Sequence, residues 1–364
     1  MTTLSLRTLN RTLLLRQMLT ERVDMPAADL VRHLVAVQGQ EPNWPYVGLW
    51  TRLAGFRHDD LGALLRDRTV VRSTMIRRTV HLAAAEDFRW LHPTVAPFVA
   101  SNLKAAYFQE ALGGIDLGEL ATAGTELLTG RTLLRRDLGR MLGERFPDSP
   151  HPGRLAQALT AMIPLVNDAE AGAWGGWRNR YVGVALAHEW IGAPVHTGAD
   201  PDTLVLRYLT AFGPATVADI QAWSGVTRLA EVVRRLRPQL RVFHNDEGAE
   251  LFDVLDAPIA EGDLPVPVRF LPAFDNVTLG HRDRRRIISD ADRARITKIA
   301  SAGVPTYLVD GFTHGRWDLD GSTIRITPWH PLSAADEAAV RAEAEQLLPV
   351  IVPDEDGKIL IDRR

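Results

Sequence analysis

Between residues 201 and 256 the order of signals leaves few folds open. An apolar helical pattern over 204–212 is stopped by Gly213 and Pro214, and a short helix over 216–223 turns Ala218, Ile220 and Trp223 toward a core. Gly225 supplies a tight turn, and 227–236 follows as a basic helix with Arg228, Arg234 and Arg235. Residues 240–243 and 250–255 then alternate as strands around the turn Asn245-Asp246-Glu247-Gly248. This succession reads as a helix-turn-helix with a two-stranded wing.

The theme recurs upstream in architecture but not in sequence. Over 1–85, helices are expected at 4–20, from Pro26 to Gln38, at 45–53 and at 58–68. Two strands follow at 70–75 and 79–82, around the basic turn Arg77-Arg78. Over 86–200, helical patterns run through 88–91, 96–110, 117–128, 132–146 and 154–163, with strands near Leu165 and at 181–187. After Pro258 the composition shifts toward short strands, at 265–271, 306–309, 317–319 and 323–327, with an alanine-rich helix at 333–348 and a last strand at 359–361. The expected class is α+β: three tandem units at 1–85, 86–200 and 201–256, then a small β-barrel with a hairpin and a C-terminal helix at 257–364.

The chain has 364 residues, 46% apolar and 24% charged, which suits a soluble globular protein of several domains. It has no cysteine, which excludes disulfides and thiolate metal sites, and a cytoplasmic address is expected. No apolar run reaches transmembrane length and no signal peptide is visible, so no membrane partner is expected. A net charge of −3 does not announce a nucleic-acid binder, but the arginines are uneven. They gather at 66–78, 228–241 and 282–286, while only Lys104, Lys298 and Lys358 supply amines. Each basic stretch is either one wall of a basic cleft or an ordinary solvated face.

The segment Gln38-Gly39-Gln40 follows the apolar face made by Leu30, Val31, Leu34, Val35 and Val37. Inside a helix, residues two apart diverge; in extended chain they share a side. Gly39 breaks the helical period and lets both amides face one cleft, with the helix carbonyl end behind them. Such a site suits a water molecule and a cationic sugar. Taken alone, two glutamines at a helix end are ordinarily solvated, and the weight comes from the rest of the chain.

Four stretches carry a resemblance. They are Val37-Gln38-Gly39-Gln40-Glu41-Pro42 running on to Pro45-Tyr46-Val47-Gly48-Leu49-Trp50; Arg72-Ser73 with Arg77, Thr79 and His81-Leu82; Leu271-Pro272-Ala273-Phe274-Asp275-Asn276 running into His281-Arg282-Asp283-Arg284; and Val309-Asp310-Gly311-Phe312 with Gly315-Arg316-Trp317. In this order, over nearly the whole chain, they resemble the bacterial winged-helix DNA glycosylases of the AlkZ/YcaQ type. The resemblance implies three tandem winged helices and a β-barrel around a C-shaped cleft for duplex DNA. It implies Gln38 and Gln40 as the catalytic pair, and N7-alkylated purines as substrate, including interstrand crosslinks. It further implies a role in DNA repair or in self-resistance to an alkylating natural product. Gly39 stands where the family is often aliphatic, and Arg78 where glycine is expected.

Glutamine has no useful pKa, so it is no strong general base. An N7-alkylated purine already carries positive charge and leaves readily, so the enzyme need only place water and stabilise an oxocarbenium-like sugar. Without a lysine in a shared motif, a monofunctional, cofactor-free and metal-independent hydrolase is expected. Asp275, Asn276, His281 and Arg77 lie in the shared motifs and rank next as site residues. Arg72, Arg78, Arg234, Arg235, Arg284, Arg285 and Arg286 are expected DNA contacts, with His314, Arg316 and Trp317 entering the minor groove. Trp317 as core and the arginines as solvated surface are the competing assignments. The alternative function is a non-enzymatic winged-helix regulator, although no dimerisation helix is evident and a monomer is expected. Metal-dependent hydrolysis lacks its motif, since His188-Glu189 has no second histidine at the right spacing.

Overall fold

The computed structural model describes residues 2–176, 181–299, 303–353 and 356–362. Local side chains set many helix ends. Ser5 accepts from the Thr8 N–H to open Leu6–Arg16, and Asp116 and Ser333 do the same for Leu117–Leu128 and Ala334–Ile351. Thr216 and Asp219 form a reciprocal capping box on Val217–Ser224, which Gly225 ends at a φ of 81°. The helix Leu229–Leu236 and the hairpin of Leu240–Asn245 with Glu250–Val254 follow.

The described strands form three sheets, and two of them join distant parts of the chain. Thr3–Leu4 adds parallel to Leu240–Asn245. The six-stranded sheet runs Val37–Gln38, Val80–Ala84, Val70–Thr74, Leu165–Asn167, Gly183–Leu186, Leu133–Leu134. Its halves meet where Arg72 stands opposite Asn167. Strands from 37–84 and from 133–186 therefore share one sheet.

The expected barrel is not closed among the described residues. The third sheet is open, in the order Arg269–Leu271, Thr306–Val309, Phe312–Asp320, Thr323–Pro328, Lys358–Ile361. Closure would require the first strand to pair with the last. The helix Ala334–Ile351 instead packs on both of these strands and buries Val340, Ala344 and Leu347 there.

Some helical expectations are also revised. The stretch expected as one helix over 96–110 is divided: Ala85–Ala100 contains Pro93 and Pro97, a 3-10 turn covers Ser101–Lys104, and Ala106–Leu112 restarts. Proline removes backbone donors and crowds the preceding turn, which favours such breaks. At 132–146 a short strand, Leu133–Leu134, precedes the helix Arg135–Arg145. Asp290–Ile299 is a helix that no periodicity announced.

Two large cores flank the glutamine segment. One joins Phe88, Leu91, Tyr208, Leu209, Phe212 and Trp223. The other joins Leu30, Tyr46 and Leu49 to Phe270, Tyr307, Trp317 and Leu347, and so packs the N-terminal helices on the five-stranded sheet. Trp317 is 1% exposed, donates to the Leu271 carbonyl at 3.0 Å and meets the edge of Trp44 at 5.8 Å. It is a core residue and not a minor-groove contact.

Candidate functional site

The helix expected to reach Gln38 ends at His33. Val35 then adopts a φ of 65°, a left-handed conformation that costs a β-branched residue about 1–3 kcal/mol. Beyond it Val37–Gln38 pairs antiparallel with Val80–Ala84, with Gln38 opposite His81. A strand therefore places the glutamines, and the carbonyl end of the helix lies further back than expected. The Gly39 N–H donates to the Val80 carbonyl at 2.9 Å. A Cβ on Gly39 would lie 3.4 Å from Pro45 Cγ and 3.5 Å from Leu82 Cγ, so the backbone here leaves room for a side chain.

The two amides have different surroundings. Gln38 is buried, and its Oε1 accepts from Arg77 at 2.8 Å. Guanidinium only donates, so this contact settles which amide atom is oxygen and leaves it one further lone pair. Gln40 is exposed, and its Oε1 accepts from the Val80 N–H at 3.2 Å.

Arg77 lies at a φ of 54° in the 3-10 turn Ile76–Arg78. It also donates to the Trp223 carbonyl at 3.1 Å and lies 3.3 Å from His81 Nε2. His81 Nδ1 lies 2.9 Å from the Thr79 carbonyl, so the consistent tautomer carries its proton on Nδ1 and accepts from Arg77. Arg72, expected on DNA, is buried instead. It donates to the Gly39 carbonyl at 3.1 Å, the Gln40 carbonyl at 3.4 Å and Asn167 Oδ1 at 2.7 Å. Burial lowers both guanidinium pKa values to about 10, which still leaves them charged at neutral pH. One arginine thus holds the backbone of the segment and the other its buried amide.

Gln38 faces a small cavity whose other walls include Trp44, Arg52, Phe274, Asp275 and Asn276. Asp275 is fully committed. Both its oxygens accept from Arg52 at 2.8 Å, and it caps Asn276–Leu279 through the Val277 N–H. Asn276 donates to the Ala36 carbonyl at 3.0 Å, which fixes the chain entering Gln38. Both act as supports for the strand and wall. His281 is buried away from this cavity, with Nε2 3.0 Å from the Phe212 carbonyl.

Four of the eight described non-glycine residues with positive φ are Val35, Arg77, Arg78 and Phe274. They lie on the three segments that converge here, and stored backbone strain is concentrated at functional sites. Arg78 adopts a φ of 62° where glycine was expected, and it is held over Phe98 with its guanidinium carbon 4.2 Å from the ring centre.

The other expected DNA contacts divide by burial. Arg286 is buried and donates to the Pro214 carbonyl at 3.1 Å, so it is a structural residue and not a surface contact. Arg285 is paired with Asp283 and Glu247, each at 2.6 Å. Arg235 is paired with Asp202, and Arg234 is exposed on the same helix. On Phe312–Asp320 the burial alternates, so His314 and Arg316 share the face opposite Trp317. Arg316 lies 3.3 Å from Asp318. Sequence reasoning missed Arg52, whose partner lies far along the chain, and Asn167, whose strand joins the sheet only in the fold.

Burial also keeps histidines neutral. His81 is pushed down to about 3, first by burial and then by Arg77; His92 is pushed down to about 4 by burial, and His281 is lowered by burial and then by Arg286. In the unfolded chain each titrates near pH 6.5. The unfolded state therefore binds more protons as pH falls below that value, and the stability present above about pH 6.5 is lost on going toward 3–4. Thermal melting is expected to fall as pH is lowered from about 7 to 5. His81→Gln is expected to flatten that dependence by about 1.4 kcal/mol per pH unit below pH 6. An unchanged slope in a folded variant would exclude His81 as a source.

Against known proteins, the family described as DNA glycosylase AlkZ-like matches residues 31–350, a span that includes both glutamines and the residues that hold them, Arg52, Arg72, Arg77, Asn167, Asp275 and Asn276. The chain is 24% identical over 358 residues to an interstrand DNA cross-link repair glycosylase from Streptomyces sahachiroi, covering 90% of this chain and 92% of that protein. Its mixed α+β fold matches the solved Streptomyces sahachiroi DNA glycosylase AlkZ with a TM-score of 0.83 at 20% identity, over 99% of this chain and 100% of that one. These matches are to glycosylases, which sets aside the regulator alternative. The chain belongs to the AlkZ-like DNA glycosylase family.

Proposed function

We propose that this protein is a monofunctional, metal-independent DNA glycosylase that hydrolyses the N-glycosidic bond of N7-alkylated purines and unhooks interstrand crosslinks made through them. The observation that carries the reading is the buried Gln38 amide, held by Arg77 beside a walled cavity in a chain of this family. The related Streptomyces sahachiroi protein bears the name of a cross-link repair glycosylase, which supports the crosslink as substrate. In this reading Gln38 and Gln40 hold the attacking water at C1′ and offer amide oxygens to the developing sugar cation. Lys104, Lys298 and Lys358 are all exposed and none lines the Gln38 cavity, which supports hydrolysis without a Schiff base.

The same reading divides the chain into winged-helix units at 1–85, 86–200 and 201–256 and a sheet domain at 257–364, arranged as a C-shaped cleft for duplex DNA. His314 and Arg316 on the hairpin face, with Arg78 and Arg234, supply further DNA contacts. The protein is taken to act as a monomer in the cytoplasm, on the nucleoid.

The test is base release from a duplex carrying one N7-methylguanine, with EDTA present. Wild type is expected to release the base, while Gln38→Ala/Gln40→Ala binds the duplex and releases none. Release by the double variant at the wild-type rate would refute the assignment, and a borohydride-trapped protein–DNA adduct would refute the monofunctional mechanism. Release of both strands from a crosslinked duplex tests unhooking.

A further inference from the structure

The two glutamine amides are oriented by their partners, and both are turned the same way. Arg77 meets Gln38 at Oε1, and the Val80 N–H meets Gln40 at Oε1. Guanidinium and backbone N–H groups only donate, so the amide end that each of them meets is the oxygen. The N–H2 end of each amide is therefore the free one, and neither Nε2 has a partner among the described residues. Gln38 is only 7% exposed, yet its Nε2 is not one of the polar atoms closed off from solvent.

The Gln38 amide is held in this sense from behind. Arg77 also donates to the Trp223 carbonyl and lies against His81 Nε2, and strand pairing sets Gln38 opposite His81. Gln38 lines the cavity with Trp44, Phe274 and Asn276, whereas Arg77 is not part of that wall. A cation on the amide oxygen draws electron density from the nitrogen and strengthens its N–H groups as donors. Gln40 differs on both counts. Its Oε1 meets a neutral N–H, and its exposed Nε2 is open to bulk water.

A strengthened donor serves the reaction where an acceptor grows. As the C1′–N9 bond breaks, its electron pair goes to N9 of the purine and the cationic base becomes neutral. Water bonds to C1′ and releases a proton to solvent. N3 lies beside N9 on the same edge of the base, so that edge becomes a better acceptor as the bond lengthens, and a hydrogen bond there is stronger in the transition state than before it. We propose that Gln38 Nε2 donates to the N3 edge of the leaving purine, while the remaining lone pair of Oε1 faces the water. Gln38 then assists departure of the base as well as placement of the nucleophile, and Arg77 is the positioning residue that turns its donor end forward. The assignment rests on the glycosylase reading and adds to it the atom that meets the leaving group.

The experiment is single-turnover base release at saturating enzyme from duplexes carrying N7-methylguanine or its 3-deaza analogue, each rate divided by the spontaneous one. Gln38→Glu puts an oxygen where the N–H2 stands and keeps an acceptor for Arg77. On N7-methylguanine it is expected to lower the rate about 10²-fold, the usual loss for one donor aimed at developing charge. On the 3-deaza lesion, which lacks the N3 acceptor, wild type and Gln38→Glu are expected to agree within about threefold. A Gln38→Glu rate on N7-methylguanine equal to or above wild type would overturn the proposal, because a carboxylate holds water and faces a sugar cation at least as well as an amide oxygen does. An equal loss on both lesions would overturn it too, since the loss would then not depend on N3. Should Gln38→Glu fail to fold, wild type decides: its acceleration is expected to be about 10²-fold smaller on the 3-deaza lesion, and an unchanged acceleration overturns the contact. Absence of base release by wild type from N7-methylguanine would refute the glycosylase reading itself, and this contact with it.

Discussion

Gln38→Ala is expected to lower the single-turnover rate of base release by about 10²–10³-fold, and Gln40→Ala by about tenfold or less. The asymmetry follows from their surroundings. Gln38 is buried, and Arg77 fixes which way its amide faces. A dipole held in place where water is excluded stabilises developing charge without reorganising, and it loses little when screened by solvent. Gln40 is exposed, and its oxygen already caps the Val80 N–H. Part of its role is thus to secure the strand, and water replaces some of what its loss removes. Duplex affinity is expected to stay within about threefold for both, because neither supplies a charge to phosphate. Equal losses, or a larger loss at Gln40, would show that the exposed amide is the principal one.

Asp275→Ala is expected to destabilise the protein by about 3–5 kcal/mol, the usual cost of stranding one member of a buried ion pair. Arg52 and Asp275 are 1% and 3% exposed in their side chains, and the guanidinium makes two parallel bonds to the carboxylate. Arg52 would keep the Gly48 and Gln17 carbonyls but lose its counter-charge. The same carboxylate caps Asn276–Leu279, so its removal also loosens the Asn276 bond to the Ala36 carbonyl just before Gln38. The rate of base release should therefore fall along with stability. Replacing both partners, as Arg52→Met/Asp275→Ala, is expected to be less destabilising than Asp275→Ala alone, since no buried charge remains unpaired. Urea denaturation of the three variants measures this. A double variant less stable than Asp275→Ala would mean that packing around Arg52, and not charge, carries the junction.

Much of the local structure was legible because its causes are local. The caps at Ser5, Asp116, Thr216 and Ser333 and the turn at Gly225 act within a few residues of the helix ends they set. The strand expected at 317–319 runs through Phe312–Asp320, and only the core could show which face held Trp317. The candidate glutamines were found through their motif, but their mechanical setting was read wrongly. Val35 turns left-handed and Val37–Gln38 joins a strand, because backbone pairing with Val80–Ala84 outweighs the helical periodicity of Leu34, Val35 and Val37.

By itself the sequence determined the composition of the elements and the absence of thiol chemistry, and it singled out the two candidate amides. The tertiary structure alone decided which arginines are committed inside and which remain open. Arg72 and Arg286 are buried beside backbone carbonyls, Arg285 is paired with Glu247 and Asp283, and Arg234 is exposed. All four share one side-chain chemistry, and no local pattern separates them. Their roles differ because desolvation and partner geometry are set by segments far apart in the chain, brought together only when the sheets assemble.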